Sequence, residues 1–217
     1  MLPLSNYEVY IFDCDGVILN SNQLKIDAME IALKEIGLIQ SEINECKKFF
    51  SLNFGMSRFY HIDYFSDYIL KLDALIAKPF KKKLLILYSR QCKELYLEAD
   101  LTLGFLSFVD KLKGNLYVAS GSEQNELQDV FRERNLDRHF QGILGSPTPK
   151  VELVASILKT ENGKKGIMFG DALSDMHSAF KNSIDFVAYL PYSNVKKELK
   201  RESSKYGFLT INSWGEI

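Results

Sequence analysis

Six short runs of apolar, β-branched and aromatic residues are spread along this chain, and most of them precede a helical pattern. The runs are YEVYIF (7–12), NLYVAS (115–120), GILG (142–145), GIMF (166–169), DFVAYL (185–190) and GFLTI (207–211). Recognisable helix start signals precede the segments 123–134, 149–159 and 173–181. Because strands that alternate with helices pair in parallel through crossover connections, the pattern predicts an α/β fold with a doubly wound parallel sheet.

Between residue 20 and about residue 90 this alternation stops. The segment reads as nearly all helix, from NQLKIDAMEIALKEIGL to DYILKLDALIAKPFKKKLLILY, with no convincing strand. The simplest account is a helical insertion after the first strand. The sequence therefore predicts a core formed by residues 1–19 and 91–217, with residues 20–90 as a helical cap domain.

Size and charge narrow the class of protein further. A chain of 217 residues can bury one core and carry an insertion. Its 27 basic and 28 acidic residues give a net charge of -1, so no general attraction to nucleic acid or to a membrane is expected. Three cysteines without metal-ligand spacing suit a reducing compartment, and no membrane span or leader is apparent. We expect a cytoplasmic protein, as a monomer or a dimer.

Four polar clusters follow the predicted strands. They are DCD (13–15), SGS (120–122), TPK (148–150) and GDALSD (170–175). In an open parallel sheet, ligands bind at the carboxyl ends of the strands, where the loops gather. The coincidence of all four clusters therefore predicts a functional site at this edge of the sheet.

Four aspartates dominate these clusters: Asp13, Asp15, Asp171 and Asp175. A loop aspartate taken alone is more often a helix cap or a turn residue. If the strands before Asp13 and Asp171 are neighbours, however, the four carboxylates converge, and like charges at close range raise one another's pKa. A divalent cation would resolve this, and oxygen ligands without histidine or thiolate predict Mg²⁺.

The SGS cluster predicts an anion site. Ser120 ends a strand, Gly121 follows it, and a helix begins near Ser122. A hydroxyl and free backbone N–H groups at a helix start commonly bind phosphate. The alternative is that Ser122 is simply an N-cap.

Lys150 is placed unusually for a lysine. Thr148 fits an N-cap and Pro149 the first helical position, so Lys150 falls in the first helical turn. A cation there opposes the helix dipole at a cost of about 0.3–1 kcal/mol. Lys150 is either a solvated surface residue that tolerates this cost or a cation aimed at a carboxylate and a phosphate above the strand ends.

With these clusters in order, the chain resembles the haloacid dehalogenase superfamily of the phosphatase type. The resemblance is to members with a small helical cap, such as phosphoglycolate phosphatase-like and beta-phosphoglucomutase-like proteins. It rests on DxDGV at 13–17, the serine at 120, the lysine at 150 and GDxxxD at 170–175. It implies a Rossmann-like catalytic core.

The resemblance implies a role for each matching position. Asp13 would be the nucleophile that forms an aspartyl-phosphate, and Asp15 the acid that protonates the leaving oxygen and the base that activates water. Mg²⁺ would be held by the side chains of Asp13 and Asp171, by the backbone carbonyl of Asp15, and by Asp175 directly or through water. Ser120, Gly121 and Lys150 would hold the phosphoryl oxygens.

Two further residues are judged by the same resemblance. Arg58 lies in NFGMSRFYHID (53–63), which resembles a cap loop that dips toward the active site, and is predicted to face a second phosphate or a carboxylate of the substrate. A surface arginine is the equal alternative. Lys25 lies near the place where phosphonate-cleaving members carry a Schiff-base lysine, but we expect it to be a solvent-facing helix residue.

Taken together, the sequence predicts a Mg²⁺-dependent phosphatase. Its substrate would be a small phosphorylated metabolite, such as a sugar phosphate or a phosphoglycolate-like compound, with neither nucleic acid nor membrane as a partner. A sugar phosphomutase is the alternative enzyme. A non-catalytic binding or regulatory module on the same fold is the alternative of another class.

Overall fold

The computed structural model describes residues 3–217, and its centre is one parallel sheet. The strands are β1 (Val9–Phe12), β2 (Asn115–Glu123), β3 (Gly142–Ser146), β4 (Gly166–Gly170), β5 (Asp185–Tyr189) and β6 (Leu209–Ile211). Their order is β3-β2-β1-β4-β5-β6, and all neighbours are parallel. The predicted α/β fold with a doubly wound parallel sheet is confirmed.

Helices follow the strands on both faces of the sheet. Between β1 and β2 lie α1 (Asn22–Ile36), α2 (Gln40–Leu52), α3 (Arg58–Tyr64), α4 (Ala74–Glu98) and α5 (Phe105–Val109). After β2 come α6 (Gln124–Glu133), α7 (Lys150–Thr160), α8 (Leu173–Lys181) and α9 (Lys196–Lys205). Single turns complete the chain at Leu4–Asn6, Phe65–Ile69, Asp137–His139 and Trp214–Glu216.

The segment expected to form the cap is helical. Within the described residues, no strand lies between Phe12 and Asn115, although isolated bridges join Leu19 to Asp15 and to Leu101. Helix α4 continues through position 90 to Glu98 without a break. The division into a core (1–19 and 91–217) and a cap (20–90) stays a prediction. Its boundary at residue 90 falls inside α4.

The core fixes the strand ends in place. All four residues of β1 are buried, as are all five of β4. Phe12 stacks on Phe169 of the neighbouring strand, with ring centroids 4.8 Å apart, and Phe105, Phe108 and Trp214 pack around them. Because both faces of these strands are covered, the residues that follow them start from rigid positions.

Among residues 3–217, each helix is too short or too polar to cross a bilayer. Cys14, Cys46 and Cys92 are buried and form no disulfide.

Candidate active site

Two adjacent strands bring the first and last polar clusters together. β1 and β4 pair in register from Val9 with Gly166 to Phe12 with Phe169, and the N–H of Asp13 donates to the Phe169 carbonyl at 2.9 Å. Asp13 follows β1 directly and Asp171 follows β4 directly. The strands before Asp13 and Asp171 are therefore neighbours, which is what the predicted convergence of the aspartates required.

Three aspartates form a buried cluster. Asp13, Asp171 and Asp175 each offer a carboxylate oxygen within 4.8 Å of the others. Oδ2 of Asp13 and Oδ1 of Asp171 are buried without a hydrogen-bond partner. Burial, and then the charge of Asp175, raise the pKa of Asp13 to about 7, and the same causes raise the pKa of Asp171 well above its usual range. Unpartnered carboxylate oxygens at this spacing fit a hard divalent cation.

Asp175 owes its place to the spacing of the GDxxxD motif. It lies in the first turn of α8, where its Oδ2 accepts from the backbone N–H groups of Asp171 (3.1 Å) and Ala172 (3.0 Å). A Cβ at Gly170 would come within 2.2 Å of the Asp175 Cβ. The glycine of the motif is therefore needed for the close approach of the second aspartate.

Lys150 lies against this cluster. Its Nζ is 2.9 Å from Oδ1 of Asp13 and 2.5 Å from Oδ1 of Asp175. Burial alone would lower the pKa of Lys150, but the two carboxylates outweigh it and raise that pKa. The ammonium is thus a buried cation and not a solvated surface group.

The start of α7 differs by one residue from the prediction. The helix begins at Lys150, and Pro149 is its N-cap, with an extended backbone (φ -58°, ψ 140°). Thr148 is therefore not the N-cap. Lys150 occupies the first helical position, where the nearby carboxylates offset the unfavourable helix dipole.

Asp15 turns its side chain away from the cluster. Four donors surround it: Ser21 Oγ at 2.6 Å, Lys25 Nζ at 2.8 Å, Ser122 Oγ at 2.8 Å and Tyr96 OH at 2.9 Å. Burial would raise the pKa of Asp15, but the charge of Lys25 and these hydrogen bonds lower it. Asp15 is therefore held as a carboxylate.

The prediction that Lys25 faces solvent is wrong. Only 8 % of the residue is exposed, and its Nζ also lies 3.0 Å from Ser122 Oγ and within 6 Å of the ring centroids of Phe54 and Tyr96. The buried positions of α1 recur with helical spacing. They are Asn22, Lys25, Ile26, Ala28, Met29, Ala32 and Leu33. The first turn of α1 points into the site, so Lys25 lies on the buried stripe.

Sequence reasoning also missed Asn22. Its Nδ2 donates to Oδ2 of Asp171 at 2.6 Å and to the carbonyl of Tyr192 at 2.9 Å. Gly16, at φ +75°, makes room for this contact, since a Cβ there would lie 2.4 Å from both the Asn22 amide nitrogen and the Asp171 carboxylate. Asn22 thus fixes one oxygen of Asp171 and leaves the other unpartnered.

The SGS segment is the last part of β2. The Oγ of Ser120 accepts from the N–H of Ser122 at 3.1 Å. Helix α6 begins only at Gln124, and its N-cap is Glu123, which accepts from the N–H of Glu126 at 2.8 Å. Ser122 is therefore not an N-cap, because its hydroxyl is already bonded to Asp15.

A loop of the helical segment rests directly on Gly121. A Cβ at Gly121 would lie 2.6 Å from the carbonyl oxygen of Gly55 and 2.9 Å from that of Met56. Beneath this contact is a cavity of about 10 Å³, lined by Asp13, Asp15 and Gly121 together with Lys25 and His61 among others. Asp13 and Asp15 therefore lie under the loop 52–57.

Arg58 does not face this cavity. Its guanidinium makes a bidentate pair with Glu126 (2.8 and 2.7 Å) and a hydrogen bond to Ser89 Oγ (2.6 Å), and it lies 5.0 Å from the ring centroid of Tyr88. Because Glu126 and Ser89 already occupy the guanidinium, the contact of Arg58 with a substrate stays a prediction. Glu126, which neutralises it, comes from α6, 68 residues away along the chain.

Comparisons with known proteins identify the family and support the fold. A family model described as haloacid dehalogenase-like hydrolase matches residues 10–189. No curated protein matches the chain. Solved structures with the same fold include a predicted phosphatase from Clostridium acetobutylicum (20 % identity, 97 % of this chain and 95 % of that chain, TM-score 0.75). A second is a haloacid dehalogenase-like family hydrolase from Streptococcus pneumoniae (17 % identity, 98 % of this chain and 97 % of that chain, TM-score 0.70). A third is a predicted phosphoglycolate phosphatase from Haemophilus somnus (19 % identity, 85 % of this chain and 85 % of that chain, TM-score 0.66).

Proposed function

The chain belongs to the haloacid dehalogenase-like hydrolase family, and from that premise we propose that it is a Mg²⁺-dependent phosphatase. It would hydrolyse a small phosphorylated metabolite through an aspartyl-phosphate. One observation carries the proposal: the carboxylate of Asp13 follows β1 and lies beside Asp171 and Asp175, and Lys150 holds its Oδ1 while its buried Oδ2 has no partner.

Asp13 would act as the nucleophile. Its Oδ1 accepts from the Cys14 N–H at 2.8 Å and from Lys150 at 2.9 Å, which fixes the orientation of the carboxylate. In the first step a carboxylate oxygen forms a bond to phosphorus and the bond from phosphorus to the alcohol oxygen breaks. A covalent intermediate of this kind divides one difficult displacement into two easier steps.

Asp13, Asp171 and Asp175 would hold Mg²⁺, with the backbone carbonyl of Asp15 as a further ligand. The bound ion would supply positive charge that makes the crowded carboxylates tolerable and balances the phosphoryl oxygens. Ser120, Gly121 and Lys150 would hold those oxygens from the protein side.

Asp15 would serve the second step as the base that removes a proton from the attacking water. Its ionised state, held by Lys25 and three hydroxyl groups, suits that role. In the first step the proton for the leaving oxygen has to come from the Asp15 carboxyl group, so Asp15 must then be protonated despite Lys25. Lys25 and its neighbours thus favour the ionised Asp15 that the second step needs over the protonated Asp15 that the first step needs.

The experiment that tests this proposal replaces the nucleophile, Asp13. Asp13→Asn should lower kcat for phosphate release at least ~10³-fold, a barrier increase of about 4 kcal/mol, because an amide oxygen is a far weaker nucleophile. Asp129→Asn, on the exposed face of α6, is the matched control. Near-normal phosphate release by a folded Asp13→Asn variant would remove the nucleophile from the proposal.

A further inference from the structure

We propose that the substrate is a monophosphate ester of a bulky, uncharged alcohol, and that it carries no second anionic group. The alcohol part would occupy a large cavity beside the catalytic residues. The inference rests on the proposed phosphatase function and specifies its substrate class.

The cavity has a volume of about 580 Å³ and reaches the site at Gly121 and Lys150. It shares Phe54, Gly55, Met56 and Gly121 with the small cavity that Asp13 and Asp15 line. Small-molecule sites commonly have volumes of about 300–1,000 Å³, so there is room for a ring system or a chain of several atoms. A two-carbon acid would leave most of this space empty.

The walls are largely apolar. The apolar side chains come from the loop 52–57, from α3 and from the starts of α7 and α8. They are Leu52, Phe54, Met56, Tyr60, Val151 and Leu173. Among the polar groups, Ser174 Oγ is buried without a hydrogen-bond partner, which suits a neutral hydroxyl or carbonyl of the ligand.

The charges of the walls argue against a second anion. Lys150 is the one lysine or arginine among the described residues that line the cavity, and Asp13 and Asp175 already neutralise it. His177 lies exposed at the edge of the cavity. A carboxylate or a second phosphate placed inside would lose water without gaining a free cation.

Nearby cations outside the cavity are also unavailable. Arg58 is paired with Glu126, and Lys25 is paired with Asp15. His61 is neutral, because burial and then the charge of Lys25 lower its pKa to about 3. The cations that a second anion could use are therefore already neutralised by carboxylates of the protein.

Two pairs of isosteric esters test the inference. The first pair is 4-carbamoylphenyl phosphate and 4-carboxyphenyl phosphate, and the second is the phosphate ester of glycolamide and that of glycolate. With Mg²⁺ present, we expect kcat/KM for phosphate release to be at least ~10-fold higher for the amide in each pair. We also expect a lower KM for the aryl amide than for the two-carbon amide, because only the aryl group fills the cavity.

A variant with a new cation in the wall sharpens the test. Leu52 lines the cavity, so Leu52→Arg should reduce or reverse the preference for the aryl amide over the aryl carboxylate. Leu75→Arg is the matched control, since Leu75 is an exposed leucine at the start of α4 that does not line the cavity. The control should keep the preference of the unaltered protein.

The possible outcomes distinguish failure of the substrate class from failure of the proposed phosphatase function. Equal or faster hydrolysis of the carboxylates, abolished by Asp13→Asn, would overturn the inference and leave the phosphatase function standing. No Asp13-dependent phosphate release from any of the four esters would overturn both. An unchanged preference in Leu52→Arg would overturn the assignment of the alcohol part to this cavity.

Discussion

At the scale of single residues, the pair of Arg58 and Glu126 is the clearest structural element that the sequence concealed. The Arg58 side chain is 3 % exposed, and its guanidinium donates two hydrogen bonds to Glu126 and one to the Ser89 hydroxyl. Burial would lower the pKa of Arg58, but neighbouring groups, Glu126 among them, outweigh it and raise that pKa. Arg58 therefore joins α3 to α6 as a stably charged residue.

We expect Glu126→Ala to lower the free energy of unfolding by roughly 3 kcal/mol, because it leaves a buried guanidinium without its counter-charge. Denaturant titration measures the change. Glu133→Ala, an exposed residue at the end of the same helix, is the control and should change stability by less than about 0.5 kcal/mol. Equal stability of both variants would contradict the structural role of the pair.

Lys25 allows a second prediction at this scale. Lys25→Met should lower kcat at least ~10-fold with a smaller change in KM, since Lys25 orients Asp15 and does not line the large cavity. Lys34→Met, with a half-exposed side chain on the same helix, is the control. A parallel loss of stability and activity in Lys25→Met, with kcat and KM altered equally, would reduce Lys25 to a packing residue.

The strand-end aspartates could be predicted because each follows an apolar run directly, so the fold alone brings them together. The partners of Asp15 could not. Ser21 and Lys25 lie beside or in α1, Tyr96 lies in α4 and Ser122 lies in β2. Their meeting depends on how the helical segment packs on the sheet. Only the helical spacing of Lys25 with other buried positions of α1 was available beforehand.

At the scale of elements, the strands were easier to predict than the starts of the helices near the site. β1 and β4 are buried on both faces, so they read as unbroken apolar runs. The starts of α6 and α7 were each misjudged near the site. Glu123 caps α6 while the Ser122 hydroxyl is bonded to Asp15, and α7 begins at Lys150, whose ammonium is bonded to two aspartates. These tertiary contacts are not visible in the local sequence.

The contact of the loop 52–57 with β2 gives an element-scale prediction. Gly121→Ala should lower kcat/KM at least ~10-fold, because its methyl group would meet the carbonyl oxygens of Gly55 and Met56 and displace the loop. Gly215→Ala is the control, since its nearest neighbouring atom would be 3.9 Å away. Unchanged kinetics in Gly121→Ala would show that the loop need not rest on β2 during turnover.

At the scale of the whole molecule, the buried aspartate cluster would couple the proposed metal binding to stability. Three carboxylates share one region with the ammonium of Lys150, so the unliganded protein carries an electrostatic cost that Mg²⁺ would relieve. Binding to the folded state alone stabilises a protein by about 2.7 kcal/mol at a ligand concentration of 100 Kd. The thermal midpoint should rise with Mg²⁺ and fall again with EDTA.

Asp171→Asn provides the matched test of this coupling. We expect the variant to be at least as stable as the unaltered protein without metal, because an amide avoids the cost of burying this carboxyl group beside Asp13 and Asp175, and to lose most of the Mg²⁺-dependent rise. Differential scanning calorimetry with and without the ion measures both quantities. The same rise in the variant would assign the metal effect to another part of the molecule.

The cavity of about 10 Å³ between Asp13 and Gly121 has a consequence for timing. It has room for about one water molecule, whereas a phosphoryl group is several times larger. The loop 52–57 therefore covers the site like a shut gate, and under the proposed function it would have to withdraw for a substrate to enter and again for phosphate to leave. Such loop movements take microseconds to milliseconds and often limit the rate of an enzyme. The speed of this protein would then be set by how often its gate opens.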